Sequence, residues 1–180
     1  MTPPLAFAIA VAFTGLGGNA RAPGHVGQAH AAKPKASVSH FIFVRHCEKD
    51  TAGQDPPLTA EGQARAKALA DALQNERIDA IYATPFKRTQ MTVQPLAETH
   101  HLRVAIVQGH NDRKFASQLV HSHKNQNVVI ASHINVIPDV VKHMGIREPI
   151  ELAENSYGDM FMVEVDGEGH ATMTRSRFGQ

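Results

Sequence analysis

The sequence predicts a three-layer α/β/α sandwich whose mostly parallel sheet ends in a C-terminal antiparallel hairpin. Three observations predict it. Short apolar runs alternate with segments carrying apolar residues at helical spacing, four times over, the order that builds a parallel sheet covered on both faces. The run at 127–131 is β-branched and apolar on both faces, as a central parallel strand is. The last two strand-like runs, 161–165 and 171–175, are joined only by Asp166-Gly167-Glu168-Gly169, a direct reversal.

Taken in order, Phe41-Ile42-Phe43-Val44 reads as the first buried strand, with Arg45-His46 where it runs out into a loop. A Gly/Pro/Asp loop covers residues 50–57. Thr59 then predicts an N-cap, Glu61 suits the first turn, and Ala66, Leu69, Ala70 and Leu73 form an apolar stripe. A second strand is expected over 78–82. Thr84 as N-cap and Pro85 at the first helical position predict a helix to about residue 98, bent or shortened by Pro95. Residues 104–107 read as the third strand, and Asp112 as the N-cap of a helix to about residue 123. After the fourth strand, at 127–131, a helix over about 136–144 stops at Gly145.

Composition places limits on function. Of 180 residues, 42% are hydrophobic and 19% charged, as in an ordinary globular protein. A formal charge of +1 gives no basic field for nucleic acid or an anionic membrane. The single cysteine, Cys47, excludes an intramolecular disulfide. The first 37 residues read as outside the fold: 5–16 are almost wholly apolar, at the length of a signal-peptide core and too short to span a bilayer comfortably. Small-residue cleavage candidates end at Ala20 and Ala31, although a charged n-region is missing. The expectation is a signal peptide and flexible segment at 1–37, a catalytic domain at 38–180, and a periplasmic or secreted protein without stable membrane association after processing. An unremoved, low-complexity tail on a cytoplasmic protein is the competing reading.

Three strands end in polar groups: Arg45-His46, Thr84 followed by Arg88, and Ser132-His133. In an open α/β sheet, ligands bind beyond the carboxyl ends of the strands. Two arginines, two histidines and a helix start converging there make a set suited to phosphate, because guanidinium forks match phosphate oxygens.

These residues resemble the histidine phosphatase superfamily, with its phosphoglycerate-mutase-like fold. Residues 43–48 are similar to that family's strand followed by Arg-His-Gly/Ala and a Glu. Residues 83–92 are similar to its second block, where a Ser/Thr precedes the helix bearing the second arginine. Residues 128–137 resemble its strand and Gly-His-x-Asn-x-Ile, and 58–63 its Leu-Thr-x-x-Gly helix start. The resemblance implies that His46 attacks a phosphoryl group and forms a transient phosphohistidine that water then hydrolyses. Arg45, Arg88 and His133 would hold the phosphate oxygens, with Thr84 and Glu48 beside them. It implies no metal and no other cofactor, and a phosphorylated small molecule or phosphoprotein as substrate. The general acid is open: Glu48 is near in sequence but is suited to orienting Arg45, and Asp112 stands where the family's mutases place their acid.

The chain departs from the pattern at three positions. Cys47 replaces a Gly or Ala and is expected to crowd the site or offer an oxidisable thiol, and Ser132 replaces a Gly at possible backbone cost. His133 precedes Ile134, unlike the His-Asp of the family's acid phosphatases. Two rival readings are a catalytically silent module binding phosphorylated ligands and a His-rich metal-binding protein. For the second, His100, His101, His121 and His123 are the weak candidate ligands, and His110, His121 and His123 are expected to be solvated.

Overall fold

The computed structural model describes residues 37–108 and 112–179. The apolar N-terminal run, both cleavage candidates and His110 lie outside them. The described elements are β1 (Ser39–Arg45), α1 (Ala60–Leu73), β2 (Ala80–Ala83), α2 (Lys87–Thr99), β3 (Val104–Ile106), α3 (Asp112–Ser122), β4 (Asn127–Ser132), α4 (Ile137–His143), β5 (Asp159–Val165) and β6 (Ala171–Arg177). They form one sheet of order β3-β2-β4-β1-β5-β6. The first four are parallel, and β5 and β6 add an antiparallel hairpin to β1, the architecture the sequence predicts.

Alternation of side chains along the strands divides the core between two faces. Ile42 and Val44 of β1, Ile81 and Ala83 of β2, and Val129 and Ala131 of β4 pack beneath α1 and α2. Phe41, Phe43, Val128, Ile130, Phe161 and Val163 point the other way, against α3 and α4. The central strands β1 and β4 are covered on both sides and are therefore continuously apolar.

α1 begins as its sequence dictates. Thr59 is the N-cap, its hydroxyl accepting from Gly62 N at 3.1 Å, and Ala66, Leu69, Ala70 and Leu73 are the buried stripe. Gly62 must be glycine for a second reason: a Cβ there would lie 2.1 Å from the carbonyl oxygen of Glu48. α1 thus docks directly on the backbone of the loop that carries His46.

Several boundaries differ from the sequence reading. The second strand begins at Ala80, because Ile78 goes to the core instead of the ladder. Pro95 does not shorten α2, which runs to Thr99; the helix tolerates it, and Thr99 Oγ1 donates to the Pro95 carbonyl at 3.0 Å. The hairpin strands are longer than their apolar pattern, because pairing continues to Asp159 opposite Arg177. There Asp159 accepts from Ser156 and Arg175, which hold its carboxyl below the usual range despite burial. No helix among the described residues is long and apolar enough to cross a membrane.

Candidate active site

Register brings the site together. Arg45 lies opposite Ser132 and Ala83 opposite Ala131, so β1, β4 and β2 end side by side. The residues that follow, His46, His133 and Thr84, therefore emerge at one sheet edge. His46 N donates to Ser132 O at 3.0 Å, extending the pairing one residue past the ladder. The rings of His46 and His133 meet edge-on with centroids 5.5 Å apart.

His46 is only 5% exposed. Its Nδ1 lies 2.8 Å from the carbonyl oxygen of Cys47, an atom that can only accept, so Nδ1 carries the hydrogen and Nε2 keeps its lone pair. Burial, and then the charges of Arg45, Arg88 and Lys49, lower its pKa to about 4, outweighing the Cys47 bond, which raises it. At neutral pH the ring is an uncharged base with Nε2 as its nucleophilic atom.

Arg45 is buried and held by one nitrogen. Its Nη1 faces the carbonyls of Ala153, Glu154 and Ser156 at 3.1, 2.7 and 3.0 Å, and its guanidinium stacks 4.3 Å over Tyr157. Arg88 lies 4.2 Å over the Phe86 ring and 3.9 Å from Asp55. The Nε–H groups of both arginines are buried without a hydrogen-bond partner among the described residues. Buried N–H groups are rarely left unpaired in folded proteins. Two of them on cations, at one sheet edge beside a neutral imidazole, suit an anionic ligand that accepts hydrogen bonds.

Thr84 belongs to the site in a manner different from that predicted. It does not cap α2: that helix begins at Lys87 after Phe86, and Lys87 N bonds Asp55 Oδ1 at 3.0 Å from the loop at 50–57. Relieved of capping, the Thr84 hydroxyl reaches Nε2 of His133 at 3.0 Å and the Thr89 hydroxyl at 2.7 Å. Phe86 leans edge-on against His133, at 5.3 Å.

Residues 41–117 match the family model of the histidine phosphatase superfamily (branch 1). Over that stretch the chain is similar to this superfamily. One curated relative, phosphoserine phosphatase 1 of Hydrogenobacter thermophilus, is 40% identical over 71 residues, covering 36% of this chain and 34% of its own. The match thus spans about a third of that relative's length. The protein histidine phosphatase SixA complexed with tungstate superposes with a TM-score of 0.63 at 17% identity, covering 77% of this chain and 96% of its own. Phosphoserine phosphatase from Entamoeba histolytica superposes with a TM-score of 0.63 at 18% identity, covering 79% and 98%. At such identities the structural likeness speaks for the fold.

Against the superfamily's pattern, the departures have local answers. The Cys47 side chain does not crowd the site: it is 1% exposed, packs in the core under α1 and α2, and burial pushes its thiol up to about 12. The predicted oxidisable thiol is corrected to an inert core residue. Its backbone N is fixed by Thr92 Oγ1 at 2.9 Å. Ser132 has no left-handed backbone and is itself buried. Glu48 does not orient Arg45; it pairs with Arg65 of α1 at 2.7 Å, because the loop turns its side chain towards that helix.

Asp112 is the first residue of α3, not its N-cap. It lines a cavity of about 210 Å³ together with Thr84, Phe86, Phe115, Val136 and His133. That cavity adjoins the site on the side of His133, and its walls are mainly apolar.

The histidines weighed as metal ligands are placed otherwise. His123 is not solvated but bridges Tyr82 Oη at 2.8 Å and Gln126 Oε1 at 2.5 Å. His100 Nε2 meets Leu73 O at 3.2 Å, and His121 Nδ1 meets Ser117 O at 3.2 Å. Among the described residues no three His, Cys, Asp or Glu side chains are grouped as a metal ion requires.

Sequence reasoning missed Thr89, Asp55, Phe86 and Tyr157 as parts of the site. The ring of Tyr157 lies 6.3 Å from His46, in a segment with no periodicity to flag it.

Proposed function

We propose that the domain is a phosphomonoesterase that works through a covalent phosphohistidine on His46. The observation that carries this is the state of that ring: buried, uncharged and hydrogen-bonded through Nδ1, with two arginines beside it. In the first step Nε2 attacks phosphorus, the bond from phosphorus to the ester oxygen breaks, and the leaving oxygen takes a proton from an acid. In the second, water attacks phosphorus and gives its proton to the group that acted as acid in the first step; the phosphorus–nitrogen bond breaks, phosphate leaves and His46 is restored. Arg45 and Arg88 supply the positive charge that spreads over the phosphate oxygens in both steps. His133 acts as the third donor. The substrate is a phosphorylated small molecule or a phosphoprotein; the apolar cavity beside His133 is suited to its alcohol portion.

Brief reaction with a labelled phosphate ester, stopped at alkaline pH, tests the reading. Label retained in alkali, lost in acid and absent from His46→Ala is expected. Turnover by His46→Ala at wild-type rates would remove the covalent route, and binding without turnover would favour a silent phosphate-binding module.

Export is proposed from the sequence alone, on the apolar run at 5–16 and the small residues after it. Mass spectrometry of protein from its native cell should find a terminus soon after Ala20 or Ala31. An intact Met1 on cytosolic protein would overturn it.

A further inference from the structure

His133 can donate to phosphate only if its hydrogens are on the right nitrogens, and three buried hydroxyl contacts decide where one of them sits. Thr89 is wholly buried. Its Oγ1 lies 2.8 Å from Phe86 O, 3.0 Å from Thr84 O and 2.7 Å from Thr84 Oγ1. A hydroxyl has a single hydrogen. If that hydrogen pointed to Thr84 Oγ1, the Thr89 oxygen would face two carbonyl oxygens at contact distance with no proton between them. Lone pairs opposed in a site closed to water are costly. The hydrogen therefore lies towards the carbonyls.

The rest follows along the chain of contacts. Thr84 must donate to Thr89, which uses its own single hydrogen. Towards Nε2 of His133, 3.0 Å away, Thr84 then offers only a lone pair. Nε2 must therefore carry a hydrogen.

We infer that Thr89 and Thr84 form a one-way hydroxyl chain that fixes a proton on Nε2 of His133. Thr89 is a positioning residue that acts through Thr84. The chain excludes the neutral tautomer protonated only on Nδ1, so any proton His133 gains or loses is exchanged at Nδ1. The inference rests on the proposed phosphatase activity only for its catalytic consequence.

The test pairs nitrogen NMR of His133 with kinetics. In the wild type, above the pH at which the ring loses its charge, Nε2 should show the protonated signature and Nδ1 the unprotonated one. Thr89→Val keeps the shape but leaves Thr84 free to reverse; the Nε2 signature should weaken and kcat fall about ten-fold, the worth of one hydrogen bond to a charged group. Thr89→Ser should restore both. A neutral wild-type ring protonated on Nδ1, or a folded Thr89→Val with unaltered signature and kcat, overturns the inference. The wild-type spectrum needs no variant to fold and no turnover. A protein without phosphatase activity would therefore sink the activity while leaving the proton's position decided.

Discussion

Nδ1 of His46 hydrogen-bonds the carbonyl oxygen of Cys47, its own neighbour in the chain, at 2.8 Å. A contact so local forms whenever this loop adopts its shape, and it places the neutral ring's hydrogen on Nδ1; burial and the charges of Arg45, Arg88 and Lys49 keep Nε2 unprotonated. The ring's pKa is about 4 in the fold against 6.5 unfolded. Between those values the unfolded chain binds the extra proton, so stability should fall as pH drops from 6.5 to 4 and stop responding to this group below that. Urea unfolding at stepped pH should show a shallower slope for His46→Gln than for the wild type. Parallel slopes would show that His46 titrates normally. Inorganic phosphate should raise the His46 pKa, since the anion favours the charged ring.

Arg45 and Arg88 should separate under substitution. Arg88→Ala removes a side chain held by a 3.9 Å ion pair to Asp55 and by stacking on the exposed Phe86 ring, so the fold should be little affected. Its kcat/KM should fall by roughly 100-fold or more, the scale for losing a donor to transition-state charge. Arg45→Ala should lose activity and also stability, by about 1–3 kcal/mol, because the carbonyls of Ala153, Glu154 and Ser156 lose their buried donor. Kinetics and denaturant melts on both variants check the contrast. Equal stability losses would place Arg88 in a structural role.

Asp112 faces the cavity beside His133, where a leaving group could meet it. If it supplies the proton, Asp112→Asn should cripple hydrolysis of an alkyl phosphate and largely spare p-nitrophenyl phosphate, whose leaving group needs little protonation. Similar losses on both substrates would assign it to the first turn of α3 alone.

Gly62→Ala should be harmful although alanine favours helices. Its Cβ would stand 2.1 Å from Glu48 O, a backbone atom that cannot swing aside. Overpacking of this kind costs about 1–3 kcal/mol. Here it would also push the loop bearing His46. A melting temperature and kcat both below wild type are expected; an unchanged kcat would show that the loop yields without moving the ring.

The layered fold was legible because alternation and helical spacing report burial directly. Phe41 to Val44 and Val128 to Ala131 are apolar on both faces, and both became central strands. The gathering of Arg45, His46, Thr84, Arg88 and His133 was legible because Arg45 ends β1, His46, Thr84 and His133 directly follow strand ends, and Arg88 lies in the first turn of the helix after β2. Thr84 misled in its role: a Ser/Thr before a helix start has the same signature whether it caps the helix or turns to a distant histidine. Asp55, which takes over the capping, lies 32 residues away, beyond any local pattern. Tyr157 and the carbonyls on Arg45 were invisible for the same reason. They lie in an irregular segment and are brought in by the antiparallel pairing of β5 with β1.

The placement of β1 also orders events during synthesis. It is the first of the described strands in the chain, yet its parallel partner β4 begins at Asn127, 87 residues beyond His40. The carbonyls that hold Arg45 come 108 to 111 residues after it. At about 5–20 residues per second, a ribosome needs roughly 4–17 s to add that β4 partner. Until then the motif-bearing strand has neither of its neighbours, and closing such long loops slows folding further. A nascent chain stopped before residue 150 would carry the nucleophile and both arginines without the carbonyls that hold Arg45. Activity should therefore emerge late and abruptly, when nearly the whole domain has been made.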